Sequence, residues 1–222
     1  MLLTERYVNQ ANAWPRSGRH VLAQADAERV IVYQAYKPSI GRYAVNHGYF
    51  GGEEFGYSRM SWIKTNFLWM MYRSAWGTKP GQEVTLAIRI SRKFFDELLT
   101  QAVESSFTLG AYSTQEEWQK AILTSSVRLQ WDPDHHPSGA PLERRALQLG
   151  LRGKSLEKFG KHEILEIIDL SSFVAEQRKN TTKQNLPYLI TPLEQVYIPA
   201  DETIRTRLGI DAGHPTSEAT VE

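Results

Sequence analysis

The sequence predicts one α+β domain: a mixed, mainly antiparallel β core flanked by helices. Three observations predict it. Apolar runs with strand character recur at 29–36, 83–91, 127–132, 146–151 and 163–170. Stretches with helical spacing and capping residues lie between them. The composition, 41% hydrophobic with six Trp, ten Tyr and eight Phe in 222 residues, suits one sizeable, aromatic-heavy core. On this reading residues 1–28 form a loosely attached N-terminal arm, 29–208 the domain, and 209–222 a disordered tail.

Along the chain, RVIVYQAY (29–36) is β-branched and aromatic and reads as a buried strand stopped by Lys37 and Pro38. Ser39 is placed to cap a short helix through Asn46, with Gly48 as its stop. Gly51, Gly52 and Gly56 then mark a tight or flexible loop. In RMSWIKTNFLWMMYRSAWG (59–77), Ile63, Phe67, Met70, Met71 and Ser74 fall at helical spacing, with Thr65 as an internal start, and predict a helix. The KPGQ turn leads to a second strand in which Val84, Leu86, Ile88 and Ile90 alternate with other residues. Ser91 caps a helix carrying Phe94, Phe95, Leu98, Leu99 and Ala102. Ser113 and Thr114 with Glu116 and Glu117 form a capping signature for a helix through Leu123. Strands follow at 127–132, 146–151 and 163–170, the first two separated by the loop DPDHHPSGAPLE and the last two by a short helix around Ser155 to Phe159. Ser171 or Ser172 caps one more helix to about Lys179, and Pro187, Pro192 and Pro199 hold an extended strap.

The absence of cysteine excludes disulfides and thiolate metal sites. Glu5 and Arg6 interrupt the apolar run a secretory leader needs, and Phe67 to Tyr72 is far too short to span a bilayer, so the expectation is a cytoplasmic protein without a membrane partner. Formal net charge is +1, unevenly spread. Between Tyr57 and Lys93 seven cations face Glu83 alone, and between Pro141 and Lys161 six face Glu143 and Glu157. These blocks either face an anionic ligand such as a phosphate-bearing nucleotide, DNA or RNA, or are ordinary solvated charge.

Three places carry candidate chemistry. Gln34 and Tyr36 share a face at the exit of the first strand, where a buried amide is either satisfied by the fold or aimed at a ligand. Around 59–82, Arg59, Trp62, Lys64, Arg73, Trp76, Lys79 and Gln82 set cations beside planar rings, a combination suited to holding phosphates and stacking a base or nicotinamide. WDPDHH at 131–136 invites a metal reading, but adjacent ligands in a Pro-bounded loop converge poorly on one ion, so no metal is expected. Gln130, Trp131 and Asp132 read instead as part of a cleft wall. No GxSxG, Walker, Rossmann or HExxH pattern occurs.

VYQAY (32–36), RMSWIKTNFLWMMYRSAWGTKPGQ (59–82), VRLQWDP (127–133) and ALQLGL (146–151) together resemble the family of the domain of unknown function DUF4291. The resemblance runs from about Arg29 to Phe173 and supplies no function. The opening, a strand with a polar and an aromatic residue, then a helix ending in Gly48, Tyr49 and Phe50, is similar to ADP-ribosyltransferase-like domains. That likeness implies an enzyme that cleaves the nicotinamide glycosidic bond of NAD and transfers ADP-ribose to an acceptor such as nucleic acid. It implies Gln34, Tyr36 and Gln148 at the reacting centre, and Arg59, Trp62, Lys64, Tyr72 and Arg73 against NAD. Trp76, Lys79, Gln82, Gln130, Trp131, Asp132 and Arg145 would then face the acceptor. Gln34 stands where those domains have His or Arg, and Glu143, Arg145 and Gln148 occupy the stretch expected to present a carboxylate. The alternative is a non-catalytic nucleic-acid or nucleotide-binding module.

Overall fold

The computed structural model describes residues 2–107 and 112–211. In chain order the strands are β1 Thr4–Arg6, β2 Val21–Ala23, β3 Arg29–Tyr36, β4 Ser61–Lys64, β5 Val84–Ser91, β6 Ala102–Glu104, β7 Val127–His135, β8 Pro141–Leu151, β9 Ile164–Asp169, β10 Ile190–Pro192 and β11 Gln195–Tyr197. The helices are α1 Tyr7–Ala13, α2 Pro38–His47, α3 Phe67–Ser74, α4 Arg92–Gln101, α5 Gln115–Thr124, α6 Gly153–His162, α7 Ser171–Gln177 and α8 Glu202–Leu208. Seven strands form the central sheet in the order β6-β7-β8-β4-β3-β5-β9, antiparallel except for the β6/β7 pair. Small two-stranded sheets, β1/β10 and β2/β11, tie the two ends of the chain together. The fold is α+β, as the sequence predicts. Among the described residues no helix is long and apolar enough to cross a membrane.

Strand alternation splits the core into two layers. Val30, Val32, Leu86, Ile88 and Ile90 face one side, against Phe94, Phe95 and Leu98 of α4 and Leu156 and Phe159 of α6. Ile31, Tyr33 and Ala87 face the other, against Phe67, Met70 and Met71 of α3 and Val174 of α7. Both layers exclude water from the middle strands, which is why β3 reads as nearly continuous apolar sequence.

Local signals act largely where they are read. Ser91 caps α4 by accepting from Phe94 N–H at 3.1 Å, and Thr114 caps α5 by accepting from Glu117 N–H at 3.2 Å. Gly48 ends α2 in the left-handed region at φ 73°. The N-terminal residue of α2 is Pro38, whose fixed φ suits a first helical turn, with Lys37 rather than Ser39 at the cap. At α7 the chain enters through Leu170, and Asp169 accepts from both the N–H and the hydroxyl of Ser171.

Four expectations are corrected. Residues 59–77 are not one helix: β4 pairs with β8 over four positions, and α3 begins only after Asn66, whose Oδ1 accepts from Trp69 N–H at 2.7 Å. Sheet pairing overrides the helical spacing at Ile63, which fits a strand equally well. The loop expected over 132–143 shrinks, because β7 runs through His135 and β8 begins at Pro141. The N-terminal arm is docked, not loose. Tyr7, Gln10 and Trp14, spaced three and four apart, bury one helical face, and Trp14 donates its indole N–H to the Glu194 carbonyl at 2.8 Å. Residues 209–211 of the expected tail belong to the fold: Gly209 ends α8, Ile210 is buried, and Asp211 accepts from Arg19 N–H at 2.8 Å, while 212–222 lie outside the described residues.

Candidate functional site

The site is made by an interruption of the sheet. β3 and β4 pair at one position, Tyr33 with Lys64. Beyond it β3 stays with β5 to Tyr36 while β4 stays with β8 back to Ser61, so the two strands part. A cleft of about 390 Å³ opens there, within the usual range for small-molecule sites. Because β3 and β4 are separated, residues from both faces of the sheet reach it: Gln34 and Tyr36 from one, Lys64 and Gln148 from the other.

On the first face, Gln34 Nε2 donates to Ser61 Oγ at 2.8 Å and to the Trp62 carbonyl at 3.2 Å. Tyr36 and Ser61 share a hydrogen bond of 2.6 Å. Burial pushes the Tyr36 phenol up to about 12, so it stays protonated. The Gln34 amide thus bridges the gap where backbone pairing stops, but its Oε1 is buried without a partner among the described residues. An orphaned buried acceptor costs about 1–3 kcal/mol unless a ligand satisfies it.

On the second face, Lys64, 5% exposed, makes no hydrogen bond or ion pair among the described residues and lies 4.6 Å from the Trp69 ring. Burial, reinforced by the nearby Arg73 charge and opposed by Asp132, brings its amine down to about 7. Gln148 donates to Gln130 Oε1 at 2.9 Å and to Asp132 Oδ2 at 2.5 Å. Burial raises the Asp132 carboxyl above its ordinary value, partly offset by the Gln148 bond and the charge of Lys64. α3 presents Trp69, Met70 and Arg73, and the segment before β4 supplies exposed Arg59. The cleft mouth is therefore cationic, with an indole N–H of Trp69 also buried and unpartnered.

A second polar cluster holds α3 in place. Arg144 and Asp134 pair at 2.5 Å, nearly fully buried, and the Trp14 ring lies 5.3 Å from the guanidinium. Arg144 also donates to the Pro15 carbonyl, and Asn66 donates to Asp134 at 3.4 Å. Glu194 Oε1 accepts from Phe67 N–H at 2.8 Å, and burial raises its carboxyl well above the usual range. Asn66 and Glu194 together satisfy orphan donors of the first turn of α3.

Of the residues suspected from sequence, Gln34, Tyr36, Arg59, Trp62, Lys64, Arg73, Gln82, Gln130 and Gln148 line the cleft, with Asp132 behind Gln148. Five lie elsewhere. Trp131 alternates away from Gln130 and Asp132, and its indole donates to the Leu208 carbonyl at 3.1 Å. Tyr72, half exposed, stacks on His135 with centroids 3.5 Å apart. Trp76 is buried and donates to the Pro137 carbonyl at 3.2 Å. Lys79 sits in the exposed turn after α3, and Arg145 is exposed while its N–H donates to the Gly18 carbonyl. The sequence does not single out Ser61 or Trp69. Reading 61–64 as a strand would have set Ser61 in register with the sheet. Gly150 was also missed: a Cβ there would meet Met60 Sδ at 2.6 Å and the Trp62 indole at 2.9 Å, so its lack of a side chain lets Trp62 lie against β8.

The second basic block is largely engaged. Besides Arg144, Arg152 donates to the carbonyls of Ser125, Ile122 and Leu123, Lys158 pairs with Glu97 and Glu163, and Lys161 with Glu157. Asp132, Asp134, His135 and His136 do not converge: Asp134 is taken by Arg144, His135 by Tyr72, and His136 by Ser138.

No curated protein matches the chain. The model of the family "Domain of unknown function (DUF4291)" matches residues 20–197, a span that contains every cleft residue named above, and the chain belongs to that family.

Proposed function

We propose that the cleft is an active site for NAD, in which the nicotinamide glycosidic bond is broken and ADP-ribose passes to an acceptor. One observation carries this reading: the parting of β3 from β4 brings Gln34, Tyr36, Lys64 and Gln148, from three strands, onto one small cavity with Arg59 and Arg73 at hand. The unpartnered Gln34 Oε1 is an acceptor suited to a ribose hydroxyl. The guanidinium groups suit a pyrophosphate, and Trp62, Trp69 and Tyr36 offer planar surface to nicotinamide. As the bond breaks, its electron pair leaves with nicotinamide and positive charge grows on the ribose. Stabilising that charge and fixing the ribose are the effects available here. Asp132, steered by Gln148, is the carboxylate beside the cleft, and it serves this role in its ionised form.

The alternative of a non-catalytic nucleic-acid module finds less support. It draws on broad basic surface, and the second basic block spends most of its charge on internal partners. Thermal stabilisation by millimolar NAD together with release of free nicotinamide is the expected result. No shift and no nicotinamide would overturn the proposal. Salt-sensitive binding of an oligonucleotide with neither effect would favour the module.

A further inference from the structure

Among the described residues, buried Arg144 is paired with Asp134, and the buried Glu194 carboxyl accepts a backbone N–H. Lys64 is the exception within the cleft. Its Nζ lines the cavity, touches the Trp69 ring, and is not neutralised by any ion pair among the described residues. An apolar side chain would pack at this position at lower cost, because an unpaired buried charge is destabilising. Holding the amine here works against the fold, which points to use in chemistry.

The surroundings favour a nucleophilic amine. Arg73 from α3 repels its proton, while Asp132 from β7 attracts it. In the sheet its ladder partners are Tyr33 of β3 on one side and the neutral Gln148 of β8 on the other. The result is an amine near 7, a substantial part of it neutral at physiological pH. The Gln34 acceptor and the Arg59 and Arg73 cations complete a cavity that fits a ribose and its phosphate.

We propose that Lys64 is a covalent attachment point, its amine condensing with the open-chain aldehyde at C1 of a phosphate-bearing ribose. The proposal rests on the reading of the cleft as a ribose-phosphate site, since loss of nicotinamide from NAD and hydrolysis leave ADP-ribose with such a C1. The nitrogen lone pair forms the C–N bond and the carbonyl oxygen takes a proton to give a carbinolamine. That oxygen then leaves as water and the nitrogen gives up its second proton or remains as the iminium. No redox step is involved, and the charge of Asp132 attracts the Lys64 proton.

The experiment uses the full chain with ribose 5-phosphate and cyanoborohydride, which reduces an imine to a stable secondary amine, followed by peptide mass spectrometry. Lys64 is expected to be modified at least ten times faster than exposed Lys79 or Lys93. Its rate should rise through about pH 7 and be slowed by excess inorganic phosphate. Lys64→Arg should lose the label at that peptide while the surface lysines keep theirs. Labelling of Lys64 no faster than of Lys79 and Lys93 overturns the proposal, a result that depends on no variant. Parallel incubation with NAD separates the two ideas. Lys64 labelling without nicotinamide release retains the lysine and rejects NAD as substrate. Nicotinamide release that is equal in Lys64→Arg, with Lys64 unlabelled, rejects the attachment and retains NAD.

Discussion

Two polar clusters are buried beside the sheet, and they solve the same problem in opposite ways. Around Asp134, Arg144 and Glu194, the charges and amides find protein partners: the ion pair is closed by Asn66 and the Pro15 carbonyl, and Glu194 holds the Phe67 N–H. Around Gln34, Lys64 and Trp69, the polar atoms are held in place but left with valence to spare: Gln34 Oε1, the Trp69 indole N–H and the Lys64 amine. A satisfied buried cluster stiffens the fold, while an unsatisfied one bordering a cavity offers itself to a ligand. The two are linked through α3, whose first turn is fixed by the former and whose later residues line the latter. The difference separates scaffold from site.

The largest expected effect breaks the scaffold. Arg144→Met leaves the Asp134 carboxylate buried and unpaired and should destabilise the protein by about 4 kcal/mol, read as a fall in urea midpoint. Replacing both partners, with Asp134→Leu, should recover most of that loss. A cost below about 1 kcal/mol for the single change would remove the distinction drawn above.

Lys64→Met should act with the opposite sign. The folded amine sits near 7 and the unfolded one at 10.5, so between these values the unfolded chain binds the extra proton and wild-type stability rises with pH. The variant lacks that penalty. It should be more stable by about 3 kcal/mol at pH 6, the gain shrinking as pH approaches 10.5, while losing turnover. Loss of stability at pH 6 would mean that Lys64 belongs with the scaffold.

Gln34→Ala should cut nicotinamide release roughly 100-fold, about 2.7 kcal/mol in barrier. Its stability should change by only about 1 kcal/mol, since Ser61 and Tyr36 keep each other. Unfolding in place of lost turnover would make Gln34 a structural bridge across the strand gap.

The smallest effect tests Glu194. Its folded carboxyl is raised by burial, so the stability it confers is full below the unfolded value of 4.5 and is lost as pH rises through the folded value. Glu194→Gln keeps an acceptor for Phe67 N–H and should change stability by no more than about 1 kcal/mol at pH 5. It should flatten the pH dependence above that, as followed by thermal unfolding.

Much of the fold is legible because its signals are local. The apolar continuity of β3, the alternation of β5, the caps at Ser91 and Thr114 and the stop at Gly48 each act within a few residues of themselves. Residues 59–77 are not legible, because Ile63 and Phe67 satisfy helical spacing while Ser61–Lys64 is drawn into the sheet by β8, some ninety positions later. The same limit hides the N-terminal segment, where polar composition conceals three buried anchors, Tyr7, Gln10 and Trp14, whose partners lie near 190.

The candidate site divides along the same line. Residue chemistry singled out Gln34, Arg59, Lys64 and Arg73 as polar or cationic groups set among apolar sequence, and the resemblance added Gln148. The sequence by itself determined most of the strand and helix types and which side chains to suspect, since both depend on neighbours along the chain. Tertiary structure alone decided that β3 and β4 part after one paired position, that Trp131 turns from the cleft, and that Lys64 is buried with no counter-ion among the described residues. Register between strands far apart in sequence, and the desolvation that sets an amine's proton affinity, exist only once the chain has folded.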